Sequence, residues 1–155
     1  MMAETKRTLH RLFYRSRQTA AVAADLDFVV QQIIGAAIRR NRTVGITGLL
    51  LTVQGNFIQA LEGNVDAVRA TYARISMDPR HHDQHIISQG PAEKRLFGEW
   101  NMCARSLAPS DKAILDVLDA KDDLNPKALT PASVERLLTT VAAIQRRTAL
   151  AALVS

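Results

Sequence analysis

Asn41 to Gly63, NRTVGITGLLLTVQGNFIQALEG, decides the fold. Asn41 follows a long apolar helical pattern and is a plausible helix stop. Ile46 to Val53 is dense in Leu, Ile, Val and Thr, the composition of a strand. Gln54-Gly55-Asn56 is hairpin-turn chemistry. Phe57 to Leu61 then alternates, so Phe57, Gln59 and Leu61 share one face. A carboxamide in that apolar row needs a polar partner, because a buried amide left unbonded costs free energy. A bond to a neighbouring protein group is the simpler reading, and a ligand contact the sharper one.

Upstream, Thr8 to Ser16 reads as a strand, with Leu12, Tyr14 and Ser16 on one face. Ala20 to Ala24 reads as a loop. Asp25 is placed to cap a helix whose apolar stripe is Leu26, Val29, Val30, Ile33, Ala37 and Ile38. Downstream, Asn64 caps a second helix with Val65, Val68, Tyr72 and Ile75 inward, ended by Asp78-Pro79. His85 to Gln89 and Arg95 to Cys103 read as two further strands, with Leu96, Trp100 and Met102 on one parity. The order is β-α-β-β-α-β-β, an α+β ferredoxin-like sheet with one extra strand and two helices on one face. The other face needs cover. Pro109 to Ala120 and Thr130 to about Leu150 supply a C-terminal two-helix cap, joined by a polar linker at Lys121 to Lys127. Thr130-Pro131 starts the last helix, and Val134, Leu137, Leu138, Val141 and Ile144 form its stripe. The division is therefore residues 8–105 and a helical cap or output segment at 106–155.

Composition narrows the function. The 155 residues carry a formal charge of +5, but the basic residues are scattered apart from Arg39-Arg40-Asn41-Arg42, and aromatics do not interleave with them. That is a solvated surface rather than a nucleic-acid face. The single cysteine, Cys103, excludes an internal disulfide and a cysteine-built metal site, and reads as a buried thiol. No apolar run is long enough to span a membrane, and the N-terminus lacks a signal-type apolar region, so a cytoplasmic protein is expected. His81 and His85, four apart, lack a third convergent ligand, and with His82 they read as a surface cluster. Neither a P-loop, a Gly-x-Ser-x-Gly elbow nor a dinucleotide glycine motif is present.

Tyr14, Asn41, Gln59, Trp100 and Met102 matter more together than singly. They form either a self-satisfied hydrogen-bond network or the surround of a planar ligand slotted between the two helices. Chemistry alone leaves both open.

In order and spacing, RLFYRSR around Tyr14, RRNRTVGITGLLL with Asn41, GNFIQALEG with Gln59, ARISMDPRH with Asp78, Arg80 and His81, and FGEWNM with Trp100 and Met102 are specific, Gln59 standing 18 positions after Asn41. The chain resembles the BLUF family, sensors of blue light using FAD, over Thr8 to Cys103. The resemblance implies non-covalent FAD with its ring between the first two helices. It implies Tyr14 as donor of an electron and a proton, and Gln59 between that phenol and the flavin. It makes Asn41 the partner of the ring's pyrimidine-like edge. Ser16, Arg80 and His81 lie near the cofactor, and Trp100 and Met102 are a pair that responds to signalling. Arg40 stands where the family often has a neutral polar residue, and the loop after Tyr14 looks long. The implied protein is a stand-alone photoreceptor and not an enzyme. Its output is a light-dependent association with itself, as a homo-oligomer, or with a downstream protein. A ferredoxin-like regulatory module without light sensitivity and a flavin-dependent redox enzyme are the rival readings.

Overall fold

The structure, a computed structural model, describes residues 9–107 and 125–154. Its sheet has five strands: β1 (Leu9–Gln18), β2 (Thr47–Val53), β3 (Asn56–Asn64), β4 (His81–Pro91) and β5 (Cys103–Leu107). They lie in the order β4-β1-β3-β2-β5. Neighbours are antiparallel except β2 and β5, which run parallel. This is the expected ferredoxin-like arrangement with β5 added beside β2.

The β2–β3 hairpin closes on Gln54-Gly55, both at positive φ (47° and 78°), as the tight two-residue turn requires. In the neighbouring β1–β3 pairing Tyr14 stands opposite Gln59. Every β2 side chain is buried, because both faces of the sheet are covered.

Helices α2 (Leu26–Val44) and α3 (Val65–Ser76) cover one face. Between them and the sheet lie Leu12, Tyr14, Leu50, Phe57, Leu61, Val68 and Met102. The other face is covered by α4 (Pro131–Val154), whose Val134, Leu137, Leu138 and Val141 pack on Phe13, Leu49, Leu51, Ile58 and Phe97. Each such fully buried side chain contributes roughly 1.5–3 kcal/mol relative to exposure. Thr130 caps α4 as expected, its hydroxyl accepting from Ser133 N–H at 3.1 Å. The other expected cap helix, Pro109 to Ala120, lies outside the described residues, as does most of the linker.

Four local expectations are corrected. Ala20–Ala24 is not a loop but a short helix, α1, whose cap Thr19 accepts from Val22 N–H; alanine is the strongest helix former. Asp25 stands at the start of α2 without a side-chain capping bond. Asn41 does not end that helix. It continues to Val44 and stops at Gly45, whose φ of 72° is a left-handed geometry that glycine adopts freely.

The fourth correction concerns Arg95 to Cys103. This stretch is a loop, and β5 begins only at Cys103. The reason is Glu62, buried to 1% exposure. Its carboxylate accepts from the Leu96 and Phe97 N–H groups at 2.7 and 2.9 Å, so these donors never enter a ladder. Trp100 and Met102 consequently do not share a face. Met102 packs on the α2–α3 side, whereas Trp100 packs on the α4 side.

Candidate functional site

A cavity opens between α2, α3 and the sheet, enclosing about 760 Å³ of space, part of it open to solvent. Its floor is formed by Tyr14, Phe57, Gln59 and Leu61 from the strands. Ile33, Ala37, Arg40 and Asn41 line it from α2, and Thr71, Arg74 and Ile75 from α3. Asp78, Arg80 and His81 close one end. Alanines at 36 and 37 keep this part of α2 from filling the gap.

The deepest polar contacts form one chain. The Tyr14 hydroxyl donates to Gln59 Oε1, and Gln59 Nε2 donates to Met102 Sδ at 3.3 Å. Tyr14, Gln59 and Met102 are all nearly fully buried. Burial, with smaller effects from Tyr72 and Asp78, raises the Tyr14 pKa well above that of a free phenol. The hydroxyl therefore holds its proton until something other than pH removes it. Tyr72 packs edge-on against Tyr14, with ring centroids 5.3 Å apart.

Asn41, although in a helix, is buried at 2% exposure. Its Nδ2 donates to the Asn101 carbonyl at 2.7 Å, and Asn101 Nδ2 donates to the Ile46 carbonyl at 3.0 Å. Asn41 and Gln59 are thus both tied to the 95–102 loop, through Asn101 and Met102. The Trp100 carbonyl accepts from Gly48 N–H at 3.1 Å. A Cβ on Gly48 would stand 2.0 Å from the Ala60 carbonyl oxygen and 3.0 Å from Met102 Cε, so glycine there lets the loop close onto β2.

His81 is not a surface residue. Its Nε2 donates to the Ile75 carbonyl at 2.7 Å, and its Nδ1 meets Ser16 Oγ at 2.7 Å. Since a carbonyl only accepts, Nε2 carries a proton. Both ring nitrogens are engaged, so His81 offers the cavity a ring face. Ser16 is buried behind it and holds His81 rather than lining the cavity. Arg80 pairs with Asp78 at 2.5 Å, and this bond holds the Asp78 carboxyl below the usual carboxylate range. Trp100 is not in the cavity wall. Arg146 of α4 lies 5.3 Å over its ring. The same guanidinium pairs with Glu99 and donates to the Leu96 carbonyl at 2.8 Å.

Glu62, Arg74 and Asn101 lie inside the quoted motifs without being singled out there, and Arg146 lies outside them. Only contacts between distant segments reveal them. Among the described residues no group of three or more His, Cys, Asp or Glu is placed to hold a metal, and no helix is long and apolar enough to cross a membrane.

The walls match a flat heteroaromatic ring with hydrogen-bonding edges. Aliphatic side chains of Ile33, Leu50, Leu61 and Ile75 line the space together with the carboxamides of Asn41 and Gln59. Two carboxamides can serve alternating donors and acceptors.

Comparison with known proteins agrees with this chemistry. Residues 9–103 match the family described as sensors of blue-light using FAD. The chain is 36% identical over 137 residues to the photoactivated adenylate cyclase subunit beta of Euglena gracilis, covering 85% of this chain and 16% of that protein. Among solved structures, "BlrB - a BLUF protein, dark state structure" superposes with a TM-score of 0.67 at 31% identity, covering 88% of this chain and 98% of that one. "BlsA photo-activated state" gives 0.76 at 23% identity over 85% of this chain and 93% of that one, a likeness of fold. With the family match covering β1 to the start of β5, the chain belongs to the BLUF family, the sensors of blue light that use FAD.

Proposed function

We propose that this chain senses blue light through the Tyr14–Gln59–Met102 chain and passes the result to α4. The observation that carries the reading is the Tyr14 hydroxyl donating to Gln59 Oε1 at the floor of the cavity. FAD, when bound, supplies the blue-light absorption and the electron-accepting capacity. Asn41, Gln59, Arg80 and the ring face of His81 would hold it.

Tyr14 supplies one electron and one proton. Burial keeps its phenol neutral in the dark, and loss of an electron makes the O–H bond strongly acidic. The proton then has an acceptor already in place at Gln59 Oε1. Gln59 is asymmetric, acceptor toward Tyr14 and donor toward Met102. Rotation or tautomerisation exchanges those sides without moving β3. The exchange costs little on the Met102 side, because thioether sulfur is a weak acceptor. Return of the electron and proton to Tyr14 closes the cycle, so no substrate is consumed and the domain itself is not an enzyme.

The output rests on the 95–102 loop. Its inner side touches Gln59 and Asn41, and its outer side is gripped by Arg146. A change at Gln59 reaches α4 through Met102 and Trp100. Altered association with a second copy or a downstream protein in the cytoplasm is the readout this path supports. The test is the light–dark difference spectrum of the purified protein. A reversible red shift of the flavin band on blue illumination is expected; a colourless protein after FAD supplementation would overturn the reading.

A further inference from the structure

The cavity is graded. Its floor is neutral and buried, whereas Arg40 and Arg74, from two different helices, line it with exposed side chains. The other charged lining groups, Asp78 and Arg80, neutralise each other. Among the described residues neither the Arg40 nor the Arg74 guanidinium has a hydrogen-bond or ion-pair partner. Exposed arginines are ordinarily just solvated, and Arg74, in the last turn of α3, also complements the helix dipole. Neither reading accounts for two uncompensated cations on one cavity whose only carboxylate is already paired. A planar guanidinium fork matches the oxygens of a phosphate.

We propose that Arg40 and Arg74 form a phosphate subsite at the cavity mouth that reads the phosphorylated tail of the flavin. The inference rests on the cavity being the flavin site. It concerns selectivity among flavins: those bearing phosphate are retained over riboflavin, which presents the same ring without the anion. The neutral floor treats riboflavin, FMN and FAD alike, so discrimination falls to the mouth.

The experiment titrates the full-length chain, freed of flavin, with riboflavin, FMN and FAD and follows quenching of flavin fluorescence. FMN and FAD should bind about ten-fold or more tighter than riboflavin at low salt. The margin should shrink in 1 M KCl, where the Debye length is only about 3 Å. In Arg40→Gln/Arg74→Gln the margin should vanish while riboflavin affinity holds within about two-fold, which also shows that the variant is folded. Equal affinities for the three flavins in the unaltered chain, or a margin that survives in the double variant, overturns the subsite and leaves the flavin site standing. Failure of all three to bind overturns both.

Discussion

Gln59 stands between Tyr14 and Met102, accepting from the phenol with Oε1 and donating to the thioether with Nε2 at 3.3 Å. The one side chain therefore joins the proposed electron donor to the loop that contacts α4. Tyr14→Phe removes the hydroxyl and keeps the ring packed against Tyr72. Flavin content should stay within about two-fold, because the lost hydroxyl bonds Gln59 rather than the open space of the cavity, and the reversible red shift should disappear. A normal difference spectrum in Tyr14→Phe would place the donor elsewhere.

Asn41→Ala should weaken flavin retention. The flavin edge it is proposed to serve would lose a hydrogen bond worth about 0.5–1.5 kcal/mol net, and the Asn101 carbonyl loses its 2.7 Å donor. Flavin-to-protein ratios after gel filtration should fall several-fold. An unchanged ratio and dark spectrum would remove Asn41 from the site.

Met102→Ala separates photochemistry from output. The red shift should persist, because Tyr14 and Gln59 remain. Light-dependent hydrogen exchange in residues 131–148 should be blunted, since the Gln59–Met102 contact no longer links β3 to the loop. Identical dark and light exchange across α4 in the unaltered protein would show that the signal takes another path.

Glu62→Gln tests what holds the loop. The carboxylate accepts from Leu96 N–H, Phe97 N–H and Arg11 Nε at 2.7–2.9 Å. An amide turns one acceptor into a donor facing donors and leaves Arg11 only the longer contact with Glu135, at 3.7 Å, as a charge partner. Urea denaturation should show a loss of about 2–4 kcal/mol. A loss below roughly 0.5 kcal/mol, the range of an ordinary surface change, would show that the network is dispensable.

The α4 grip on the loop should release in acid. The hydrogen bond from Arg146 holds the Glu99 carboxyl below its ordinary value of 4.5. A carboxyl lowered on folding contributes stability above its unfolded pKa, and that contribution is lost as pH falls through the folded one. Contact between Arg146 and the single tryptophan, Trp100, should therefore weaken below about pH 4.5. Trp100 emission should change reversibly there, and Glu99→Gln should flatten the transition. An identical acid transition in Glu99→Gln would assign it to another group.

The elements that position the site were legible because their causes are local. Strand alternation alone puts Tyr14 and Gln59 toward the same pair of helices, and turn chemistry at Gln54-Gly55 sets the β2–β3 hairpin register. The stripe Val134, Leu137, Leu138 and Val141 marked α4 as the cover of the opposite face. Membership of the family was likewise readable from ordered motifs. What the tertiary structure alone decided is the path of residues 95–102. Propensity made it a strand with Trp100 and Met102 on one face. A carboxylate more than thirty residues upstream, Glu62, captures its backbone donors instead and sends those two side chains to opposite sides of the sheet. A hydrogen bond between distant segments leaves no period in the sequence, so neither that path nor the contact of Arg146 with Trp100 could be read there.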